Sequence, residues 1–204
     1  LLPLFGAFLL LFIGGSEEQI NKNSKDVALW TSMSELVLVI ILFFQFDSDN
    51  IDFQFMESIQ ILPDYGISYI VGVDSISLLF LLLASILIPI CILISMNSIK
   101  VRVKEYMLAF LILESFIMGV FCSLDALLFY IFFESLLIPM FLIIGIWGGK
   151  RRIYAAFKFF LYTLSGSIFF LIAIIVMAYN SGSTSLLELY DYNFSELLQK
   201  WLWI

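Results

Sequence analysis

Three glutamates, Glu35, Glu114 and Glu134, stand inside long apolar stretches of the chain. A carboxyl at membrane depth is expensive, and such residues mostly serve proton or ion pathways. Glu114 and Glu134 each lie ten residues from Leu124, the centre of the short connection Ser123-Leu124-Asp125. If the flanks are helices folded back on one another, a rise of about 1.5 Å per residue puts both carboxyls roughly 15 Å below that connection. This is close to the middle of a hydrocarbon core about 30 Å thick. Should their faces converge, each acid would make the other's charge harder to hold. Pro139 follows Glu134 by five residues and has no N–H for the Ser135 carbonyl, so the helix should kink beside the acid and loosen enough to admit water. Glu134 therefore reads as a proton-transferring acid. For Glu114 a proton role and a hydrogen-bonded packing role both stand open. Glu35 reads as packing, bonded to Ser32, Ser34 or a neighbouring helix.

Lys158 lies six residues beyond Arg152, about 9 Å of rise, whereas Glu134 lies fourteen residues from Gly148, about 21 Å. The gap in depth disfavours a direct pair. Lys158 reads as an anchor whose stem snorkels to the surface, with a water-bridged relay to Glu134 as the weaker alternative. Thr163, Ser165, Gly166 and Ser167 form a small-residue patch that would let another helix approach. The many phenylalanines read as packing and lipid-facing material rather than a quinone site.

What must position these residues is a membrane domain. Of 204 residues, 62% are hydrophobic and only 13% charged, too apolar for a soluble core and its surface. Apolar runs of about 20 residues without strand-like alternation predict an all-α polytopic membrane protein. Six candidate spans are predicted at 1–14, 27–46, 76–97, 106–123, 125–147 and 154–179, with a truncated seventh beginning near Trp201. The first span is too short to cross, and the chain reads as truncated at both ends. The expected organisation is two helices over 1–46, an extramembrane loop over 47–75, four helices over 76–179 and an interfacial segment over 180–204.

Charge supports that count. Lys22, Lys25, Lys100, Arg102, Lys104, Lys150, Arg151, Arg152 and Lys158, nine of the ten basic residues, fall on the side of the odd-numbered connections. The positive-inside rule assigns that side to the matrix or cytoplasm. The opposite side is acidic, with Asp47, Asp49, Asp52, Glu57, Asp64 and Asp74 in the second connection and Glu188, Asp191 and Glu196 in the sixth. Within the second connection, alternation around Phe53 and Phe55, a turn at 63–66 and a β-branched run to Val73 predict a β-hairpin on the acidic face. An amphipathic run is expected over 186–198. The net charge of −7 and the lack of a basic face argue against nucleic acid as a partner, leaving the lipid bilayer and other membrane chains. With no histidine and only Cys91 and Cys122, both inside apolar runs, no cofactor or metal is expected in this chain.

The segments GVDSIS (72–77), KEYMLAF (104–110), SLD (123–125), FYIFFESLLIPM (129–140) and IWG (146–148) together resemble the family of NADH-ubiquinone oxidoreductase subunit 4, chain M in bacteria. That family is the antiporter-like proton-pumping part of respiratory complex I. The resemblance implies about fourteen helices with two inverted repeats, of which this chain would hold the N-terminal portion. It implies that Glu134 is the functional fifth-helix glutamate, paired with a lysine on a seventh helix, and that Glu105 matches an acid at the start of the fourth. Ser75 departs from the glycine usual there. By the same resemblance, the chain would lie in the mitochondrial inner membrane rather than a bacterial plasma membrane. Its partners would be other membrane-arm subunits of complex I and a companion chain carrying the remaining helices. Two alternatives stay open: a subunit of a cation/proton antiporter complex, and a structural piece whose buried acids stay protonated.

Overall fold

The computed structural model describes residues 1–50, 52–62 and 66–203. In chain order the elements are α1 (Leu2–Phe12), α2 (Glu17–Gln45), β1 (Gln54–Leu62), β2 (Ile67–Val73), α3 (Ser75–Ser98) and α4 (Val103–Cys122). They continue with α5 (Ala126–Ser135), α6 (Leu137–Trp147), α7 (Arg152–Ser181), α8 (Leu186–Asp191) and α9 (Glu196–Trp203). Five apolar helical stretches are long enough to cross a membrane: α2, α3, α4, α7, and α5 with α6 taken together. The chain is therefore a helical membrane protein with one small two-stranded antiparallel sheet.

Local chemistry explains the boundaries. α2 starts ten residues before the predicted second span, because Ser16 and Gln19 form a reciprocal capping box (Gln19 N–H to Ser16 Oγ 3.4 Å, Ser16 N–H to Gln19 Oε1 3.3 Å). Glu17 and Glu18 add favourable charge to its first turn. Lys22 and Lys25 thus ride on a helix rather than a loop, and α2, at 29 residues or about 43 Å, overshoots a 30 Å core. Asp74 caps α3 by accepting the Ser77 N–H at 2.8 Å. α7 ends at Gly182, whose φ of 79° is the left-handed closure that glycine adopts without strain. The hairpin is present over β1 and β2 with a shift of register between Gln54 and Glu57; of its expected turn, 63–65 lie outside the described residues. The run predicted over 186–198 is broken into α8 and α9, and Trp201 lies inside α9. The small-residue patch on α7 is divided: Ser167 is buried and Thr163 half-buried, while Ser165 and Gly166 are exposed. Its hydroxyls turn back to Phe159, Tyr162 and Leu164 carbonyls, and nothing lies within 4 Å of a Cβ built on Gly166.

α4 is the hub, touching α1, α2, α3, α5 and α6. Towards its N-terminus, Val103, Tyr106, Met107 and Leu111 pack with Ala7, Leu10, Ala28, Ile88 and Ile92. Towards its C-terminus, Met118 packs with Val39, Val73, Leu78, Leu81 and Ala84. α4 and α5 cross closely, since a Cβ on Gly119 would meet the Phe132 ring at 2.7 Å.

The two ends of the bundle are fastened differently. At the basic end, cations cap helix C-termini: Lys25 Nζ donates to Met96 O (2.5 Å), Lys104 Nζ to Leu11 O and Ile13 O (both 3.0 Å), and Arg152 Nη1 to Ile146 O (2.5 Å). At the acidic end, backbone bonds join three connections. Leu124 N–H donates to Ile70 O, Ala126 N–H to Thr184 O and Leu186 N–H to Leu124 O, each at 2.9 Å.

Candidate functional site

Glu134 is the penultimate residue of α5, and the helix breaks directly after it. Leu136 donates back to Phe132 O (3.2 Å) and Met140 to Leu136 O (3.3 Å), but Pro139 has no N–H for the carbonyl of Ser135. The single predicted span 125–147 is accordingly two helices, α5 and α6, interrupted at Leu136. Both carboxyl oxygens of Glu134 are buried without a hydrogen-bond partner. Ser135 gives it no help, because its hydroxyl donates to Ile131 O at 2.6 Å. Next to the break, a cavity of about 370 Å³ lies between α4, α5, α6 and α7, walled by Leu113, Phe133, Leu136, Met140, Phe159 and Thr163. Thr163 presents no free donor there, its hydroxyl being bonded to Phe159 O (2.9 Å).

The other sequence-derived candidates separate from this point. Lys158 is exposed on α7 and sits over the Tyr162 ring, 5.8 Å from its centroid, so it does not reach the unpartnered Glu134 oxygens. Glu105 is exposed in the first turn of α4, at the basic end. Glu114 has no exposed surface and neither of its oxygens has a partner. It sits on α4, which packs against α2, the helix that carries Glu35. Equal sequence distance from Leu124 thus did not make Glu134 a hydrogen-bond partner of Glu114, since the oxygens of both lack one. Depth is set along a helix, whereas facing is set around it.

One buried acid was read from the sequence only as part of a connection. Asp125 has no exposed surface, yet both of its oxygens are satisfied: Oδ1 accepts the Leu128 N–H at 2.9 Å and Oδ2 accepts the Thr184 hydroxyl. It is the N-cap of α5 and ties α5 to the end of α7. An acid three residues before a helical amide is a visible cap signal; its partner, 59 residues away, is not. Among the described residues no three His, Cys, Asp or Glu side chains come together as a metal site would need.

Comparison with known proteins agrees with this architecture. The family described as NADH:quinone oxidoreductase/Mrp antiporter, TM, matches residues 123–204. NADH-ubiquinone oxidoreductase chain 4 of Marchantia polymorpha is 47% identical over 205 residues, spanning all of this chain and 41% of that protein. The chain belongs to the chain 4/subunit M family. NADH-quinone oxidoreductase subunit M of Rhodobacter capsulatus, a member from bacteria, is 46% identical over 95% of the chain and 37% of its own length. The chain thus spans about two fifths of the length of these relatives. Among solved structures, respiratory complex I from Thermus thermophilus superposes with a TM-score of 0.83 at 26% identity, covering 98% of this chain and 40% of that one. The Mrp complex from Dietzia shares the fold, with a TM-score of 0.75 at 16% identity over 94% of this chain and 20% of that one.

Proposed function

We propose that the chain is the N-terminal portion of a proton-translocating membrane-arm subunit of NADH:ubiquinone oxidoreductase, seated in the mitochondrial inner membrane, with Glu134 as its proton-accepting carboxyl. The observation that carries this reading is Glu134 itself: a buried, unpartnered acid at a helix interruption inside an apolar span. A carboxylate without donors in an apolar setting is costly, so a cation or water brought beside it changes how readily it holds a proton. The break at Leu136 leaves a carbonyl free and gives the backbone next to the acid room to move. Electron transfer then takes place elsewhere in the assembly, and this chain supplies protonatable groups. Its partners are the neighbouring membrane-arm subunits and whatever polypeptide carries the remaining helices.

The test is Glu134→Gln in the assembled complex, reading NADH oxidation and proton uptake together. The expected result is a lowered number of protons moved per NADH oxidised, with the complex still assembled. An unchanged ratio would remove Glu134 from the pathway. Proton transport that proceeds without NADH would move the chain to an antiporter assembly.

A further inference from the structure

The sequence, with its net charge of −7, reads as lacking a basic face, yet folding assembles one. Three cations of the basic end are already engaged with helix carbonyls: Lys25 with Met96 O, Lys104 with Leu11 O and Ile13 O, and Arg152 with Ile146 O. Four others, Lys100, Arg102, Lys150 and Arg151, are exposed. They lie in the connections 99–102 and 148–151, and neither connection contains an acid. The fold holds the two connections side by side. The Trp147 indole N–H donates to Val101 O at 2.8 Å, and the same ring meets Tyr106 edge-on, 5.1 Å between centroids.

Several features add to the positive potential of this patch. Arg102 and Arg151 are the N-cap residues of α4 and α7, and neither caps its helix through the side chain. The positive ends of two helix dipoles therefore face the same way as the four side chains. Glu105, in the first turn of α4, sets one acid against four cations. Glu17, Glu18 and Asp26 stand on α2, whose main contacts are α1, α3 and α4 rather than α6 or α7. Like charges gathered in this way repel, and an anion placed between them relieves that repulsion.

What runs down from the patch is apolar. Ile153, Tyr154, Phe157 and Leu161, in the first turns of α7, are between 53% and 65% exposed. Ile153, Phe157 and Leu161 are spaced by four and share one helix face, a strip about 12 Å long. Tyr154 and Trp147 stand at the level of the cations, where amphipathic rings mark a membrane boundary. A free anion would use the charges and leave the strip bare. An amphiphile with a phosphate head and an acyl chain uses both.

We propose that the connections 99–102 and 148–151, together with the first turns of α7, form a binding site for an anionic phospholipid. The phosphate sits among Arg102, Arg151, Lys100 and Lys150, with the guanidinium groups offering paired donors and the lysines point charges. One acyl chain lies along Ile153, Phe157 and Leu161. The site is separate from Glu134 and stands whether or not that residue carries protons.

The test offers the delipidated, assembled complex either phosphatidylglycerol or phosphatidylcholine, each with a photoreactive group on one acyl chain, and maps the labelled peptides by mass spectrometry. Label is expected on peptides covering 153–162, with phosphatidylglycerol preferred. Arg102→Gln combined with Arg151→Gln should shrink that preference by about fivefold for each charge removed. If the double variant does not assemble, the two lipids compared on the parent decide alone. The proposal is overturned if both lipids label 153–162 equally, or if the double variant keeps the full preference. It is also overturned if inorganic phosphate, against chloride at equal ionic strength, removes the preference and reveals an ion site. Label falling instead on a neighbouring subunit that covers this face overturns it too.

Discussion

Replacing Asp125 by alanine should loosen the acidic-end junction while leaving every unpartnered acid untouched. The carboxylate caps α5 through Leu128 N–H (2.9 Å) and accepts the Thr184 hydroxyl, which also reaches Gly66 O at 3.2 Å. Losing an N-cap costs about 1 kcal/mol. Losing a hydrogen bond to a charged group costs about 1.5–3 kcal/mol, and the lower end applies because Thr184 keeps a second acceptor. The total of roughly 2–3 kcal/mol raises the local opening constant about 30- to 150-fold. Hydrogen exchange of the assembled complex, read on peptides covering 124–130 and 184–190, measures this directly. Asp125→Asn keeps an oxygen for Leu128 and an amide that Thr184 can face, so its exchange should stay within about threefold of the parent. The reasoning is refuted if alanine exchanges like the parent, or if asparagine is as damaging as alanine.

Three further outcomes follow from other parts of the fold. Pro139→Ala restores a donor for Ser135 O, so α5 and α6 should fuse, amides near 136–140 should gain about 1–3 kcal/mol of protection, and protons moved per NADH should fall. Gly119→Leu drives a side chain into the Phe132 ring, 2.7 Å from where a Cβ would stand. It should cost about 1–3 kcal/mol and lower the amount of assembled complex on native gels, with partial rescue by Phe132→Leu. Asp74 is partly buried, which alone would raise its carboxyl. Hydrogen bonds from the Ser77 hydroxyl and the N–H groups of Ser77, Asp74 and Ile76 outweigh burial and hold it below the ordinary carboxylate range. Its stabilisation is complete above the unfolded value of about 3.9 and is lost as pH falls through the lower folded one. Pepsin cleavage between 66 and 77 should therefore appear only as pH is stepped below about 4, and Asp74→Asn should remove that pH dependence.

Much of the architecture was legible because a bilayer imposes simple rules on composition. Apolar length gave α3, α4 and α7 to within a few residues, and three of the one-sided basic residues, Lys25, Lys104 and Arg152, turned out to cap helix C-termini at one end of the bundle. The break beside Glu134 was readable from one proline, since a missing N–H acts on a carbonyl four residues away along the same chain. The start of α2 was misplaced, although Ser16 and Gln19 carry the capping-box spacing, because hydropathy takes no account of polar helical turns that extend beyond the membrane. The run over 186–198 was read as one element because amphipathic periodicity was followed past the cap signal of Ser195, whose hydroxyl accepts the Leu198 N–H at 3.4 Å and starts α9 anew.

The sequence by itself determined that this is a helical membrane domain, which end of it is basic, and that Glu35, Glu114 and Glu134 stand at depth. Those properties depend on residue type and on distance along one chain. Only the tertiary structure decided that Glu114 is fully enclosed while Glu35 stays half-buried, that Lys158 turns out over Tyr162 and away from Glu134, and that Asp125 meets Thr184. The angle at which each helix turns a residue towards its neighbours is fixed by packing contacts such as Gly119 against Phe132, made between residues that no local spacing relates.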